Sequence, residues 1–321
     1  MRLLLLGGPL FLGRAITEAA LARGHELTFF NRGRTNSELY PEVERLVGDR
    51  AGNLGVLEGR DWDAVVDTCG YLPSVVRTSA EALASSEVYC FVSSISVYAD
   101  FSVPVDEDSP VAALGGLPED EVTNESYGPL KALCEQVVVD VFADRALVVR
   151  PGLITGPHDP TGRFTYWPHR IARGGEVLAP APPTTVTQSI DVRDLGDWIV
   201  SLCERSVGGV YNATHPGVSW GELLETCRDV AGASAEITWV APDFLVEHEV
   251  GEWMELPLWI VDPALAYADR VAVQRALDEG LTFRPLAETV RGALDHAATT
   301  EAAGLTPERE AALLREWHGR E

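Results

Sequence analysis

The segment LLLLGGPLFLGRAI, residues 3–16, joins an apolar run to a helical pattern through a loop that is rich in glycine. The continuous run Leu3–Leu6 is typical of a parallel strand that is buried on both faces. Glycines between such a strand and a helix permit a tight turn, close approach of the backbone to a pyrophosphate, and close packing of the helix. We therefore assign a phosphate-binding loop to Gly7, Gly8, Leu10, Phe11, Leu12 and Gly13.

The same alternation of short apolar runs and helical patterns continues through the first half of the chain. Further strands are predicted at residues 27–30, 64–67, 88–92 and 146–150, and helices at 13–23, 74–85 and 130–142. Alternating strands and helices imply right-handed crossovers between parallel strands. The pattern therefore predicts an α/β fold with a doubly wound parallel sheet of the Rossmann type.

The composition changes after Pro151, where proline, glycine and tryptophan become frequent. We assign residues 1–155 to the dinucleotide-binding domain, to which residues 186–215 return as one more strand and helix. Residues 156–185 and 216–321 are assigned to a smaller C-terminal substrate-binding region, which ends in an amphipathic helix.

The second predicted strand runs into FFNRGRT, residues 29–35, which contains no acidic residue. Proteins that bind NAD usually place Asp or Glu here, where the carboxylate accepts hydrogen bonds from the adenosine ribose. Arg32 and Arg34 offer guanidinium groups that suit a 2′-phosphate, although two solvated loop arginines would give the same sequence. The segment favours NADP(H), with NAD(H) as the alternative, and Asn31 and Asp49 are assigned to the same end of the cofactor.

Lys131 is the single lysine in a chain with 25 basic side chains, the others being arginine. It follows Tyr127 by one helical turn, so the two side chains share a helix face. A phenol has a pKa of about 10, which must fall if the group is to transfer protons near neutrality. A nearby ammonium favours the phenolate, so the pair predicts Tyr127 as a general acid/base with Lys131 as its partner. The alternative is a surface lysine paired with Glu135.

A serine-rich run, FVSSISVY at residues 91–98, follows the fourth predicted strand. Ligands of open α/β sheets bind at the carboxyl ends of the strands. A hydroxyl of Ser93, Ser94 or Ser96 could therefore donate a hydrogen bond to a substrate carbonyl while Tyr127 transfers the proton. Serines that only form a turn are the alternative.

These motifs together resemble the short-chain dehydrogenase/reductase superfamily, in particular its extended branch, the NAD(P)-dependent epimerase/dehydratases. The elements GGPLFLG, SSISVY, YGPLK and RPGLITGP occur in the order of that family. The resemblance implies that Ser94, Tyr127 and Lys131 are catalytic. Beyond the glycine loop it implies cofactor contacts from Asn31, Arg32, Arg34, Asp49, Cys69, Gly70, Tyr127, Lys131, Pro151 and Gly152.

The glycine loop is similar to that of an atypical subgroup, which includes bacterial reductases and the chloroplast stem-loop-binding proteins. Pro9 and Leu10 stand where that subgroup commonly has Thr and Arg. Ser96 stands where dehydratases of the family often carry Glu. This difference argues against dehydration through a carboxylate and leaves reduction or epimerisation.

The segment HDPTGRFTYWPHR, residues 158–170, combines aromatic rings with guanidinium groups. Such groups can hold a sugar ring or a nucleotide diphosphate, while packing of the aromatic rings in the core is the alternative. The histidines here lack metal-ligand spacing, so no metal is expected. The residues assigned to substrate binding are Ser94, Arg163, Tyr166, Trp167 and Trp253.

These features favour an NAD(P)-dependent oxidoreductase that transfers hydride to or from a small carbonyl or hydroxyl compound, with a nucleotide-linked sugar as one candidate. The alternatives are an epimerase that holds its cofactor tightly and a cofactor-sensing or RNA-binding protein without activity. The formal charge of −24 disfavours nucleic acid and anionic membranes as partners. Five cysteines without metal or disulfide spacing indicate a reducing cytoplasm, and a homodimer is a family-level expectation.

Overall fold

A computed structural model of the protein describes residues 1–52, 54–180, 182–296 and 303–320. The strands within these ranges are β1 (Arg2–Leu6), β2 (Glu26–Asn31), β3 (Glu44–Val47), β4 (Ala64–Asp67), β5 (Val88–Val92), β6 (Ala146–Pro151), β7 (Leu153–Thr155), β8 (Gly175–Pro180), β9 (Val186–Thr187), β10 (Ser189–Asp191), β11 (Gly209–Ala213), β12 (Val218–Ser219) and β13 (Ala235–Val240). The α-helices are α1 (Leu12–Ala22), α2 (Pro73–Ala82), α3 (Tyr127–Phe142), α4 (Tyr166–Ala172), α5 (Val192–Glu204), α6 (Trp220–Ala231), α7 (Pro242–Glu247), α8 (Gln274–Asp278), α9 (Leu286–Asp295) and α10 (Pro307–His318).

Seven strands form one parallel sheet in the order β11-β6-β5-β4-β1-β2-β3. The chain winds outward from β1 in both directions, so the predicted doubly wound fold is confirmed. The strands β3 and β11, which lie at the two edges, are additional to the predicted ones. Edge strands are less buried, and the sequences ERLV and GVYNA accordingly lack the continuous apolar character of the central strands.

The leucines of β1 alternate between two hydrophobic cores, one on each face of the sheet. Leu3 and Leu5 pack in the core that contains residues of α1 and α5. Leu4 and Leu6 pack in the opposite core with residues of α2 and α3. Full burial of each side chain contributes roughly 1.5–3 kcal/mol, so both faces of this strand select leucine.

A third hydrophobic core lies in the C-terminal half of the chain. It contains residues of α4, α6 and α9, together with the parallel pair β8 and β13. The boundaries of the two predicted regions stay a prediction, and residues 297–302 and 321 of the predicted substrate-binding region lie outside the described residues.

Residues 186–215 return to the central sheet through a different strand from the one expected. The strand-like segment forms two short strands, β9 and β10, which pair with β12 and β7 outside the central sheet. The helix α5 packs on α1, where Gly196 lets the two backbones approach: a Cβ at this position would lie 2.8 Å from the Ala15 carbonyl carbon. The strand that joins the sheet is β11, beside β6.

No helix among the described residues combines the length and the apolar character that crossing a bilayer requires. The cysteines are free thiols, and Cys90, Cys134, Cys203 and Cys227 are buried as small apolar side chains.

Candidate active site

Two adjoining cavities lie at the carboxyl ends of the central strands. The main cleft, of about 770 Å³, runs from the glycine loop past Ser94 and Tyr127 to Arg163 and Trp253. The second-strand pocket, of about 630 Å³, is lined by the residues that follow β2 and β3. Both are lined by Gly7, Gly8, Leu10, Cys69 and Tyr71, so they form the two arms of one continuous groove.

The glycine loop is shaped by contacts that only glycine permits. Gly7 has φ of +122°, and a Cβ there would overlap the Thr68 hydroxyl. A Cβ at Gly13 would overlap the backbone carbonyl of Gly8, which brings the start of α1 against the loop. Within the described chain no side chain caps α1, and its first residues, Leu12 and Gly13, line the main cleft. The N–H groups of Gly13 and Arg14 donate to the Leu10 and Phe11 carbonyls at 2.9 Å, and the positive end of the helix dipole adjoins the groove as a phosphate site requires.

Asn31 at the end of β2 supports this loop. Its side-chain amide donates to the Gly7 carbonyl at 2.9 Å, and its oxygen accepts from the Gly33 N–H at 2.8 Å. Arg32 and Arg34 are exposed and line the second-strand pocket. Asp49 lines the same pocket, so these residues surround one arm of the groove as the sequence predicts.

The Ser94, Tyr127 and Lys131 side chains converge on the main cleft from two elements. Ser94 lies just beyond β5, where its hydroxyl accepts from the Ser96 N–H at 3.1 Å and donates to the Ser96 hydroxyl at 3.0 Å. Tyr127 is the first residue of α3, and Lys131 follows one turn later. The predicted arrangement of the three residues around a shared cleft is therefore present.

Gly128 sets the distance between the serine loop and α3. A Cβ at this position would overlap the Ser96 carbonyl, a backbone atom that cannot move alone. The helix start and the serine loop are thus in direct backbone contact, and this contact determines how closely Tyr127 approaches Ser94.

We expect Gly128→Ala to destabilise the protein by about 1–3 kcal/mol, because the added methyl group forces the helix and the loop apart. Denaturant unfolding of the variant measures this loss. Gly52→Ala is the matched control, since a Cβ at Gly52 would meet no atom within 4 Å. Equal stability of the two variants would contradict the close contact between Gly128 and the serine loop.

Lys131 is engaged differently from the sequence-based prediction. Its side chain is 3% exposed, and Nζ donates to the carbonyls of Gly70 at 2.8 Å and Val92 at 2.6 Å. Burial lowers the pKa of Lys131 to about 8. Glu135 pairs instead with Arg150 at 2.6 Å, so the alternative of a surface Lys–Glu pair is wrong.

The positive charge of Arg163, which lines the same cleft, acts on the Tyr127 phenol. Burial raises the pKa of Tyr127, while hydrogen bonding with Ser94 and the positive charge of Arg163 lower it. The expectation that Lys131 also provides such a charge stays a prediction, and its ammonium donates to two backbone carbonyls. A further aromatic ring, Tyr71, lies 5.4 Å from the Lys131 Nζ and 6.5 Å from the Tyr127 ring.

Most of the predicted site residues line the groove, and three do not. Gly70 contributes its carbonyl to Lys131 without lining either cavity. Tyr166 and Trp167 are buried in the third hydrophobic core, where the Trp167 indole N–H donates to the Pro257 carbonyl at 2.9 Å. Their assignment to the substrate is therefore corrected, since both rings are buried in that core and line neither cavity. The predicted residues that line the main cleft are Gly7, Gly8, Leu10, Phe11, Leu12, Gly13, Cys69, Ser94, Tyr127, Lys131, Pro151, Gly152, Arg163 and Trp253.

Several residues that line the cleft were not predicted from the sequence. Tyr71 follows a strand end, which could have identified it, since ligands bind there. Phe101 and Asp269 come from segments without a recognisable motif. Arg50, beside the second-strand pocket, forms a buried two-point pair with the Asp67 carboxylate at 2.7 Å for each bond.

Comparisons with known proteins agree with this architecture. No family model matches the chain. A curated relative, the chloroplast stem-loop binding protein of 41 kDa b of Arabidopsis thaliana, is 23% identical over 252 residues, which cover 72% of this chain. The chain spans 63% of the length of that relative.

Solved structures match nearly the whole chain. The UDP-glucuronic acid 4-epimerase of Bacillus cereus, in complex with NAD, has a TM-score of 0.65 at 15% identity, with 92% of this chain and 98% of that chain covered. The UDP-glucose 4-epimerase of Thermotoga maritima, with UDP-glucose, has a TM-score of 0.66 at 14% identity and the same coverage.

A third match is the dTDP-glucose 4,6-dehydratase of Bacillus anthracis, in complex with NAD. It has a TM-score of 0.64 at 15% identity, with 92% of this chain and 97% of that chain covered. The resemblance predicted from the motifs is thus confirmed at the level of the fold. The chain has the fold of the extended short-chain dehydrogenase/reductases, the NAD(P)-dependent epimerase/dehydratases.

Proposed function

We propose that the protein is an NAD(P)-dependent oxidoreductase of the short-chain dehydrogenase/reductase type. The observation that carries this proposal is the shared cleft, in which Ser94, Tyr127 and Lys131 lie opposite a glycine loop with an uncapped helix N-terminus. A tight turn, close backbone approach and the positive end of a helix dipole are what a dinucleotide pyrophosphate needs. The neighbours with NAD in their structures support the same class of cofactor.

The chain's own residues supply binding and proton transfer. A bound nicotinamide would supply or accept the hydride. The Ser94 hydroxyl polarises a substrate oxygen by hydrogen bonding, and the Tyr127 phenol gives or takes the proton at that oxygen. Lys131 holds the backbone of two strand ends, after β4 and at β5, and so positions the floor of the cleft.

An epimerase that oxidises and re-reduces one carbon uses the same residues. The two 4-epimerases among the structural neighbours favour it as the second candidate. An epimerase of this kind keeps its cofactor bound through purification, whereas a reductase exchanges it at each turnover. Release of a nicotinamide from the denatured protein, measured against the protein concentration, therefore separates the two.

We expect NADPH to bind more tightly than NADH, because Arg32 and Arg34 line the pocket where a 2′-phosphate would lie. A charged hydrogen bond to this phosphate is worth roughly 1.5 kcal/mol or more, so the preference should be about tenfold or greater. Thermal-shift titrations with the two cofactors measure it, because ligand binding stabilises the folded protein by mass action.

The paired variant Arg32→Ala/Arg34→Ala should lose the preference. Arg291→Ala, an exposed arginine on α9, serves as the control and should keep it. Tighter binding of NADH by the wild-type protein would refute the assignment of the two arginines, and would match the NAD found in the neighbouring structures.

The name of the plant relative suggests binding to a nucleic-acid stem-loop. We do not extend that activity to this chain, because its formal charge of −24 opposes contact with a phosphate backbone. A retained Ser-Tyr-Lys set also favours an enzyme over a sensor.

A further inference from the structure

A carboxyl group without a motif of its own lies at the substrate end of the main cleft. Asp269 lines the cleft beside Leu265, Ala268 and Trp253. Its carboxylate accepts a hydrogen bond at 3.4 Å from the backbone N–H of Gln188. Within the described part of the chain no basic side chain forms an ion pair with it. Asp269 therefore has hydrogen-bonding capacity left over for a ligand.

The backbone around Asp269 is clamped in place from two sides. The Gln188 side chain, 5% exposed, accepts from the Val271 N–H at 2.9 Å and donates to the Val271 carbonyl at 3.2 Å. From the other side, the Ala272 N–H donates to the Val105 carbonyl at 2.8 Å. The carboxyl group is thus a fixed part of the cleft wall and not the end of a free loop.

The surroundings of Asp269 suit a neutral hydroxyl group. Burial raises the pKa of Asp269 to about 7, against smaller opposing effects of Gln188, Thr187 and Arg270. Near neutrality the carboxyl group therefore exists in both forms, one that accepts hydrogen bonds and one that also donates. A sugar hydroxyl, which donates and accepts, pairs with either form.

The charges of the main cleft do not suit a nucleoside diphosphate. Among the described residues that line it, the cationic side chains are Lys131 and Arg163. Lys131 is already held by two backbone carbonyls. Arg163 alone remains for an anionic ligand, while Asp269 adds a carboxyl group and the whole chain carries −24. A diphosphate bound there would lose its hydration without enough positive charges to compensate for that loss.

The aromatic side chains at this end complete a site for a small polyol. Trp253 and Phe101 line the cleft with Asp269, and the Arg163 guanidinium lies 5.6 Å from the centre of the Trp253 ring. Aromatic rings offer apolar faces to the C–H groups of a sugar, while polar groups fix its hydroxyls.

We propose that the substrate is a polyhydroxylated carbonyl compound without a nucleotide, such as a free sugar, and that Asp269 binds one of its hydroxyl groups. This inference rests on the proposed oxidoreductase function and narrows it. It separates the chain from the structural neighbours that are named for nucleotide-sugar substrates.

The test compares two aldehydes of equal chain length, glyceraldehyde, which carries hydroxyl groups, and propanal, which does not. NADPH-dependent reduction of each is measured for the wild-type protein, Asp269→Leu, Asp269→Asn and the control Asp229→Asn, an exposed position on α6. The reverse direction uses glycerol and 1-propanol with NADP⁺. The wild-type protein should favour glyceraldehyde by about tenfold in kcat/KM, the value of one hydrogen bond to an ionisable group.

Asp269→Leu should remove this preference, Asp269→Asn should keep part of it, and Asp229→Asn should keep all of it. Neither UDP nor UDP-glucose should raise the Tm of the cofactor-bound protein. The inference is overturned if Asp269→Leu retains the preference, if neither compound is turned over, or if UDP-glucose binds. A protein that gives no thermal shift with NADPH or NADH would instead refute the oxidoreductase function itself.

The burial of the Asp269 carboxyl group can be tested independently of activity. The folded protein holds the proton of Asp269 more tightly than the unfolded chain, because folding raises the pKa of this acid. The free energy of unfolding therefore falls as the pH rises from about 4 to about 7. Removing the carboxyl group should therefore raise Tm more at about pH 8 than at about pH 5. An equal change at both pH values would show that the carboxyl group is not desolvated in the cleft.

Discussion

Replacement of Tyr127 by phenylalanine is expected to lower kcat by about 10³-fold, in the middle of the range for loss of a general acid or base. The substitution removes the phenolic oxygen and leaves the ring that packs near Tyr71. Ser94 keeps its hydrogen bonds with Ser96, so the serine loop retains its structure. The predicted loss is thus confined to proton transfer.

Two measurements separate this effect from misfolding. Fluorescence titration should give a cofactor Kd that is nearly unchanged, because the glycine loop and the second-strand pocket are untouched. Tm should change little, since the phenol faces the cleft. Tyr40→Phe, which removes a phenol bound to Glu18 outside both cavities, should retain the wild-type kcat. A Tyr127→Phe enzyme with most of its activity would show that another group moves the proton.

The fold could be predicted from the sequence because its determinants are local. The run Leu3–Leu6 is apolar on both faces, which identifies a central parallel strand without knowledge of its neighbours. Gly7 follows with a positive φ and Gly13 with a backbone contact that leaves no room for a side chain, so both mark the loop directly. Edge strands such as β3 lack this signature because one of their sides is exposed.

The substrate end of the site could not be predicted in the same way, because its residues meet only in the folded chain. Asp269 reaches the cleft through its contact with Gln188, a residue 81 positions earlier in the sequence. Trp167 and Trp253 both occur in segments that combine aromatic and charged residues. Trp167 is nevertheless fully buried in a core, whereas Trp253 lines the cleft. An aromatic residue carries the same local pattern in both environments.

The importance of Lys131 could be predicted from the sequence, whereas its contacts could not. The sequence marks it as exceptional, and the structure shows that its partners come from two other segments, after β4 and at β5. A slim ammonium can reach the carbonyls of Gly70 and Val92 together, with Nζ lying 4.1 Å from the centre of the Phe91 ring. A planar guanidinium needs more room than this enclosed position provides.

Lys131→Met is therefore expected to destabilise the protein by roughly 2–4 kcal/mol, because two buried carbonyls lose their donor. Lys131→Arg should also destabilise, by about 1–3 kcal/mol through overpacking, and should lower kcat by disturbing the floor of the cleft. Denaturant unfolding and steady-state kinetics measure the two effects. Near-normal stability and turnover of Lys131→Arg would mean that the single lysine has no special role.

The pH dependence of stability distinguishes this buried lysine from a surface one. Its pKa is lowered to about 8 on folding, so between about pH 8 and about pH 10 the unfolded chain binds more protons than the folded protein. Stability of the wild-type protein relative to Lys131→Met should accordingly increase as the pH rises through this range, and should be smallest below about pH 8. If the difference in free energy of unfolding between the two proteins stayed constant from about pH 7 to about pH 10, the pKa of Lys131 would not be lowered on folding. That result would contradict a buried ammonium at this position.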